Sequence, residues 1–134
     1  MEPRTHLALD RRWSGAPVEL RDGHAVVSMT ALAEMAADEI GLVHGGFLFA
    51  LADHAAMLAV NDPNVVLVSA NVEFLRPVRV GETLVARAEV VGTIGKARDV
   101  LGVVEGAAGP VFRGQFRCVV PRCHVLAPRG GGEG

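Results

Sequence analysis

The sequence predicts an α+β domain in which an antiparallel sheet of about five or six strands is covered by one long helix. Three observations predict this fold class. The chain has 134 residues, half of them hydrophobic, which suffices for one domain with its own core. One segment with helical periodicity, 47–60, follows two β-like runs and precedes four more. Strands do not alternate regularly with helices, so a Rossmann or P-loop fold is not expected.

The segments before the long helix are short. Residues 1–15 mix charges without a period and predict a loosely ordered, irregular arm whose Trp13 packs back on the domain. Asp22-Gly23 lies between two β-like runs and is a hairpin signal. Residues 31–43 are rich in alanine and acidic side chains and predict a short helix or loop. The two β-like runs are Ala16–Leu20 and His24–Thr30.

The long helix is expected from Phe47 to Val60, where apolar residues recur at a spacing of three and four. Many of its residues are alanines, so a sheet can approach it closely. Residues 61–64, Asn-Asp-Pro-Asn, end it. The following strands should form a four-strand meander that completes the domain, 16–120, before a flexible tail, 121–134. These strands are Val65–Leu75, Thr83–Thr93, Ala97–Val104 and Val111–Val120.

Charge and hydropathy exclude several classes of protein. Thirteen Lys and Arg against fifteen Asp and Glu give a net charge of -2, which is unlike the strongly basic face of a nucleic-acid-binding protein. The most apolar window, 41–60, contains a helix of only about 21 Å, whereas a bilayer core needs about 30 Å. No secretory signal pattern opens the sequence, so a cytoplasmic location without membrane contact is expected.

The two cysteines, Cys118 and Cys123, lie near the C-terminus, with His124 beside the second. Two Cys and one His do not complete the four ligands of a structural zinc site. The sequence therefore predicts a reduced pair and no metal site.

The densest group of chemically useful residues is His44-Gly45-Gly46 followed by Asp53. Glycines directly before a helix leave its first N–H groups uncovered, and these donors form an anion or oxyanion site at the positive end of the helix dipole. Asp53 lies in an otherwise apolar helix, where an unpaired carboxylate is costly. Two interpretations follow: Asp53 pairs with an arginine or a backbone donor, or it works as a catalytic carboxylate in a cleft.

The spacing of these residues limits how one chain can use them. Gly46 and Asp53 are seven residues apart, which is about 10 Å along a helix. A carboxylate that activates an attacking atom must lie about 3 Å from it. One chain therefore cannot easily place both groups around one carbonyl, but two antiparallel copies can. The spacing predicts an active site shared across a dimer.

The segment 44–61, with its His-Gly-Gly and the aspartate seven residues later, closely resembles the hot dog fold acyl-CoA thioesterases of the phenylacetate-pathway (PaaI-like) type. Segments 69–77 and 80–84 resemble the next strands of that family, and the likeness covers roughly residues 16–120. The resemblance implies a sheet wrapped around a central helix. It also implies hydrolysis of acyl-CoA thioesters without a metal or a cofactor other than the coenzyme A of the substrate. A homodimer with a continuous sheet is implied too, often doubled into a homotetramer.

The resemblance also assigns roles to individual residues. Asp53 matches the catalytic carboxylate, which acts as general base or nucleophile. The Gly46 amide matches the donor that polarises the thioester carbonyl, and His44 and Gly45 match the turn that shapes this oxyanion hole. The acyl group is left open between aromatic and short or medium aliphatic chains.

Coenzyme A carries phosphates, which arginine binds well through paired hydrogen bonds. Arg76 and Arg79 lie at a strand end, where they either bind these phosphates or form a solvated pair. The resemblance places Ser69, Ala70 and Asn71 near the coenzyme A as well.

Two residues next to this constellation have their own predictions. Asp38 stands six residues before His44, where relatives often carry Asn. An added carboxylate should repel Asp53 or raise its pKa. His54 lies on a neighbouring face of the helix and is expected to be structural rather than catalytic.

Non-catalytic binding is the alternative function. Segments 78–90 and 111–116 also resemble the acyl-CoA-sensing domain of a hot dog fold repressor of fatty-acid synthesis. That repressor carries an N-terminal helix-turn-helix, which the irregular residues 1–15 cannot hold. The position of Asp53 is not acidic in the sensor. Both points favour the enzyme, and a dehydratase of the same fold is disfavoured because its motif is not found.

Overall fold

The computed structural model describes residues 1–127, so part of the predicted tail, 121–134, lies outside the described residues. One antiparallel sheet of six strands holds the fold together, in the order β1-β2-β4-β5-β6-β3. The helices are α1 (Arg11–Ser14) and α2 (Gly45–Val60), with a 3₁₀ turn at Ala33–Met35. The strands are β1 (Ala16–Arg21), β2 (His24–Thr30), β3 (Val66–Phe74), β4 (Thr83–Ile94), β5 (Ala97–Gly106) and β6 (Gly109–Val119).

The core lies between α2 and the inner face of the sheet, which confirms the predicted fold class. Ala52, Ala55 and Ala56 of α2 are all fully buried. Their small side chains let the curved sheet approach the helix closely. Leu51, Leu58 and the inward-facing residues of the strands fill the remaining space. Burying each large apolar side chain stabilises the fold by about 1.5–3 kcal/mol.

Strand β3 does not pair where the sequence predicts. It pairs with β6 at one end of the sheet, so only β4, β5 and β6 form a meander, and the four-strand meander is wrong. The physical reason is that both edges of β4 are already taken, by β2 and by β5. The connection from β3 to β4 passes the start of α2 instead, where Leu42 forms a bridge with Arg79.

The two ends of α2 are fixed by contacts that periodicity does not reveal. The helix begins at Gly45, two residues before the predicted start, because His44 caps it and Gly46 adopts helical backbone angles. At the other end, Asn61 has a left-handed backbone with φ of 52°. Its side chain accepts the Arg4 N–H at 2.7 Å and donates to the Glu2 carbonyl at 2.9 Å. The N-terminal arm is therefore tied to α2 and contains a helical turn, unlike the loosely ordered arm that the sequence predicts.

The remaining local predictions agree with the structure. The turn at Asp22-Gly23 joins β1 to β2, with Arg21 opposite His24 and a left-handed Gly23. Trp13 packs on the core, as expected. None of the helices among residues 1–127 is long and apolar enough to cross a membrane. The cytoplasmic location stays a prediction.

Candidate active site

The start of α2 forms a tight turn that we call the glycine turn, residues 44–46. His44 has an extended backbone, and its Nδ1 accepts the Gly46 N–H at 2.8 Å. The His44 amide donates to the Met35 carbonyl at 2.9 Å and so anchors the turn to the preceding loop. Because Nδ1 is the acceptor, the neutral imidazole carries its proton on Nε2.

Only one of the two glycine amides remains open. The Gly46 N–H is engaged by His44, whereas the Gly45 N–H has no acceptor within the described part of the chain. A side chain at either position would crowd a neighbouring ring. A Cβ on Gly45 would lie 2.9 Å from Cε1 of Phe74, and a Cβ on Gly46 would lie 2.8 Å from Nδ1 of His44. The family resemblance implies the Gly46 amide as the donor to the carbonyl, but within one chain this N–H is bonded to His44 and the Gly45 N–H is the open one.

Asp53 lies in the middle of α2 and is half-buried. Its Oδ1 is buried and accepts no hydrogen bond from any described residue. No salt bridge among residues 1–127 includes it, so the interpretation that Asp53 pairs with an arginine does not hold. Burial raises the pKa of the Asp53 carboxyl to about 6. A carboxyl left unsatisfied in this way is costly for stability and typical of a reactive group.

The side of α2 that carries Asp53 faces β6. Phe49, one turn earlier, packs on Phe116 of β6 with ring centroids 5.7 Å apart. Burial, together with the charge of Asp53, raises the pKa of the Cys118 thiol on the same strand to about 12. Cys118 therefore stays a neutral thiol and belongs to the core. Cys123 is a free thiol on the surface.

The glycine turn and Asp53 belong to one helix but lie well apart. Gly45 and Asp53 are eight residues apart, which is about 12 Å along α2. Within one chain the open amide and the carboxylate are thus too far apart to act on one carbonyl, as in the prediction of a site shared across a dimer. Strand β3 pairs with β6 on one side only, so its other edge is open within the described chain. The dimer itself stays a prediction.

His54 has the structural role that the sequence predicts. Its side chain is 4% exposed, and its Nδ1 lies 2.9 Å from the carbonyl oxygen of Ser14. A carbonyl can only accept, so Nδ1 carries the proton in this bond. Burial lowers the pKa of His54, and the bond to Ser14 opposes that shift. His54 thus holds α1 against α2 and does not face an open site.

Asp38 does not act on Asp53 in the way that was expected. Its Oδ1 accepts three backbone N–H groups, from Ile40, Gly41 and Leu42, at 3.0, 3.0 and 3.1 Å. These bonds lower the pKa of Asp38. Within one chain the raised pKa of Asp53 comes from burial alone. The expectation that Asp38 raises the pKa of Asp53 is therefore wrong within one chain. Asp38 instead organises the loop before the glycine turn.

A cavity of about 320 Å³ adjoins the glycine turn. It is apolar except near Arg76, whose Nη1 donates to the Ala108 carbonyl at 2.6 Å. The walls of this cavity are formed by Leu42, Val43, Gly45, Leu48 and residues 74–78. Arg79 lies nearby, in a smaller cavity with Pro77 and Glu82. This places one predicted arginine beside Gly45.

The other residues predicted to contact coenzyme A lie elsewhere. Ser69 pairs with Arg117 and Asn71 with Gln115, so both side chains point to the outer face of the sheet. There they line, with Ala70, a separate cavity of about 490 Å³. Arg76 lies beyond the end of β3 and lines the cavity beside Gly45 instead. One chain therefore does not bring the four predicted residues together.

Several contacts could not be read from the sequence. Phe74 covers Gly45 from a different element, and Trp13 packs on Phe47 with ring centroids 6.0 Å apart. No spacing or motif signals either contact, because each joins segments distant in the chain. Among residues 1–127, no three His, Cys, Asp or Glu side chains converge as metal ligands.

The family model described as "Thioesterase superfamily", 4HBT, matches residues 40–96. Among solved structures, an uncharacterized protein, PH1136 from Pyrococcus horikoshii, is 46% identical with a TM-score of 0.93, and the match covers 95% of this chain and 98% of that one. The PaaI protein of the Escherichia coli phenylacetic acid degradation operon has a TM-score of 0.71 at 29% identity, over 77% of this chain and 80% of that one.

Curated relatives have diverse names. A methylthioribose-1-phosphate isomerase of Aquifex aeolicus is 47% identical over 87% of this chain but only 25% of its own length. The transcription factor FapR of Shouchella clausii is 38% identical over 57% of this chain and 40% of its own. The acyl-coenzyme A thioesterase PaaI of E. coli is 40% identical over 54% of this chain and 53% of its own. The chain thus spans between a quarter and about half of these relatives.

Proposed function

The chain belongs to the thioesterase superfamily with the hot dog fold, and we propose that it hydrolyses acyl-CoA thioesters to a free acid and coenzyme A. The observation that carries the proposal is Asp53, a carboxylate in the central helix whose buried Oδ1 has no partner among the described residues. A role in packing alone would favour an apolar residue here. Similarity to a curated acyl-CoA thioesterase supports the same reaction class.

Asp53 supplies the base in this proposal. Its pKa of about 6 leaves it ionised near neutral pH yet basic enough to accept a proton, which is the range that general bases need. Asp53 takes a proton from water while the water oxygen bonds to the thioester carbon. The carbon–sulfur bond then breaks, and the leaving thiolate takes the proton back from the Asp53 carboxyl. Direct attack by the carboxylate, followed by hydrolysis of the anhydride, is the alternative role.

The Gly45 amide is the proposed donor to the thioester oxygen. It is open, it lies at the positive end of α2, and it lines the cavity that also contains Arg76. A single oxyanion donor of this kind is worth about 10²–10³ in rate. The Gly46 amide supports the site indirectly, since its bond to His44 holds the turn in shape.

A second copy of the chain completes the site in this proposal. The roughly 12 Å between Gly45 and Asp53 on α2 is too far for one chain to act on one carbonyl. The open edge of β3 offers a place for a partner strand, which would bring the partner's α2 alongside. Assembly of two such dimers into a tetramer is part of the same proposal.

The coenzyme A portion is proposed to lie near Arg76, whose guanidinium is held by the Ala108 carbonyl at 2.6 Å. An arginine fixed in this way suits a phosphate. The acyl group would enter the apolar part of the cavity, between Leu48 and Phe74. Its volume of about 320 Å³ admits either an aromatic ring or a short aliphatic chain.

Binding without catalysis is the second candidate function. The similarity to the transcription factor FapR over 57% of the chain favours it. In that case the chain would bind an acyl-CoA tightly and release no thiol. Asp53 argues for the enzyme, because a binding protein has no use for a buried carboxylate without a partner.

The decisive experiment measures thiol release from aromatic and aliphatic acyl-CoAs by the wild type and by Asp53→Asn. We expect turnover on some substrate and a loss of at least about a hundredfold in the variant. Asp22→Asn is the matched control, since Asp22 is exposed in the turn between β1 and β2 and should keep full activity. A protein blank is needed because the exposed Cys123 reacts with thiol reagents.

Each result has a clear meaning. Equal turnover by the wild type and Asp53→Asn would show that another group is the base. No turnover on any substrate, with tight binding of coenzyme A, would replace the enzyme by the acyl-CoA-binding function.

A further inference from the structure

The short helix α1 packs against the stretch of α2 that separates the glycine turn from Asp53. It contacts α2 at two points: Trp13 packs on Phe47 in the first turn, and the Ser14 carbonyl accepts from His54, next to Asp53. Catalysis requires the donor and the base to be held within a fraction of an ångström. The packing of α1 therefore bears on both groups.

The position of α1 is fixed by the core. A helix of four residues is not stable alone, because the entropy lost in forming the first turn exceeds the stabilisation from its hydrogen bonds. Its last residue, Ser14, is buried and bonded to His54 at 2.9 Å. The next residue, Gly15, has φ of 85°, and a Cβ there would lie 2.7 Å from Cδ1 of Leu51. These contacts pack the end of α1 closely between α2 and β2.

A row of three rings leads from α1 to the glycine turn. The centroid of Trp13 lies 6.0 Å from that of Phe47, and the Phe47 ring meets the His44 ring edge-on at 6.3 Å. The His44 ring then accepts the Gly46 N–H through Nδ1. The two glycines have no side chains with which to fix the turn, so its orientation depends on such contacts. Arg12, whose guanidinium lies 5.2 Å from the Trp13 ring centroid, covers that ring.

We propose that Trp13 is a positioning residue for the glycine turn. Through Phe47 it holds the His44 ring where Nδ1 accepts the Gly46 N–H, and this bond directs the neighbouring Gly45 N–H toward the substrate. The catalytic consequence rests on the proposed thioesterase function. The structural consequence, a glycine turn that loosens when Trp13 is shortened, does not.

The first test compares Trp13→Leu with Trp13→Phe in steady-state turnover. We expect kcat to fall about tenfold in Trp13→Leu, with KM within about twofold and the acidic limb of the pH profile unmoved. Trp13→Phe keeps an aromatic ring against Phe47 and should restore most of kcat. Val90→Ala, a truncation of a partly buried side chain in β4, is the control for a loss of stability alone.

Two outcomes of this test would overturn the proposal. One is a folded Trp13→Leu protein with the kcat of the wild type. The other is an equal loss of kcat in Val90→Ala at an equal loss of stability, since that would make the effect a general one.

The second test needs no turnover and so separates this proposal from the proposed function. Amide hydrogen exchange by NMR follows the Gly46 N–H, which the bond to His44 protects. We expect its exchange to accelerate at least about tenfold in Trp13→Leu and to stay unchanged in Val90→Ala. Unchanged Gly46 exchange in Trp13→Leu would refute the positioning role. A wild type without hydrolytic activity would refute only the proposed function.

Discussion

Asp38 and Asp53 are two aspartates of one chain in opposite surroundings. The Asp38 carboxylate is exposed and accepts three backbone N–H groups, which lower its pKa. The Asp53 side chain is half-buried in the middle of α2, where its buried Oδ1 accepts no bond from the described residues and burial raises its pKa to about 6. The loop thus supplies hydrogen-bond donors to the Asp38 carboxylate, whereas α2 supplies none to the buried Oδ1 of Asp53.

This difference shows where the fold tolerates a cost in stability. The Asp38 carboxylate stabilises the loop that leads into the glycine turn, and water supplies the rest of its solvation. The buried Oδ1 of Asp53 has lost water without gaining a donor among the described residues, which costs stability. Reactive carboxylates are found in surroundings of the second kind.

The largest expected effect is on activity at acidic pH. Asp53 must be ionised to act as a base or nucleophile, and its pKa is about 6. Turnover should therefore fall about tenfold for each pH unit below about 6. The measurement is a pH–rate profile of kcat/KM for the wild type and for Asp38→Asn, and both should share the acidic limb. An acidic limb that moves or vanishes in Asp38→Asn would show that the titrating group is Asp38 and not Asp53.

The next effect is a gain in stability when the Asp53 charge is removed. The folded pKa of about 6 lies above the ordinary value of 3.8, so the folded state binds more protons in this window and stability falls as pH rises through it. Asp53→Asn should therefore raise the free energy of unfolding by about 3 kcal/mol at neutral pH. Below the ordinary value both states are protonated, and the gain should disappear.

Denaturant unfolding at neutral pH and at about pH 3.5 measures this difference. A variant less stable than the wild type at neutral pH would show that Asp53 has a stabilising partner, such as a donor from a second copy of the chain.

Removing the Asp38 carboxylate is expected to lower stability at neutral pH, and by less than the gain expected at Asp53. Because the pKa of Asp38 is lowered in the folded state, its contribution to stability is present above the ordinary value and is lost as pH falls through the folded pKa. Asp38→Ala should lower the thermal midpoint at neutral pH. Asp38→Asn should have a midpoint between those of the wild type and Asp38→Ala, because asparagine keeps an acceptor oxygen. The difference should shrink at low pH. A deficit that is equally large at low pH would contradict the assigned hydrogen bonds.

The smallest effect is expected at Asp99, a third aspartate that pairs with Arg117 at 2.9 Å on the exposed face of the sheet. Exposed ion pairs contribute little, because solvent screens them and ordering the side chains costs entropy. Asp99→Asn should leave the thermal midpoint within about 2 °C of the wild type in a calorimetric scan. A large shift would place Asp99 in an interface between copies of the chain.

Much of the fold could be predicted because it depends on patterns local in the chain. The periodicity of α2, the β-like runs and the turn at Asp22-Gly23 each reflect the chemistry of a few neighbouring residues, and they agree with the structure. The place of β3 beside β6 could not be predicted. Competition between strands for the edges of β4 decides it, and no local pattern encodes that competition.

The candidate site divides in the same way. An aspartate in an apolar helix and two glycines at the start of that helix can be recognised from residue types and spacing alone. The structure was needed to show that His44 engages the Gly46 amide and leaves the Gly45 amide open. It was also needed to show that Asp38 serves its own loop.

The sequence by itself determined the fold class, the central helix and the positions of Asp53 and the glycine turn. Side-chain polarity and periodicity carry this information, because burial of apolar surface dominates folding and acts on local patterns. Only the tertiary structure decided which donors are satisfied, how the strands are ordered and that Trp13 and Phe47 support His44. These features join segments far apart in the chain, and their geometry exists only once the whole core has packed.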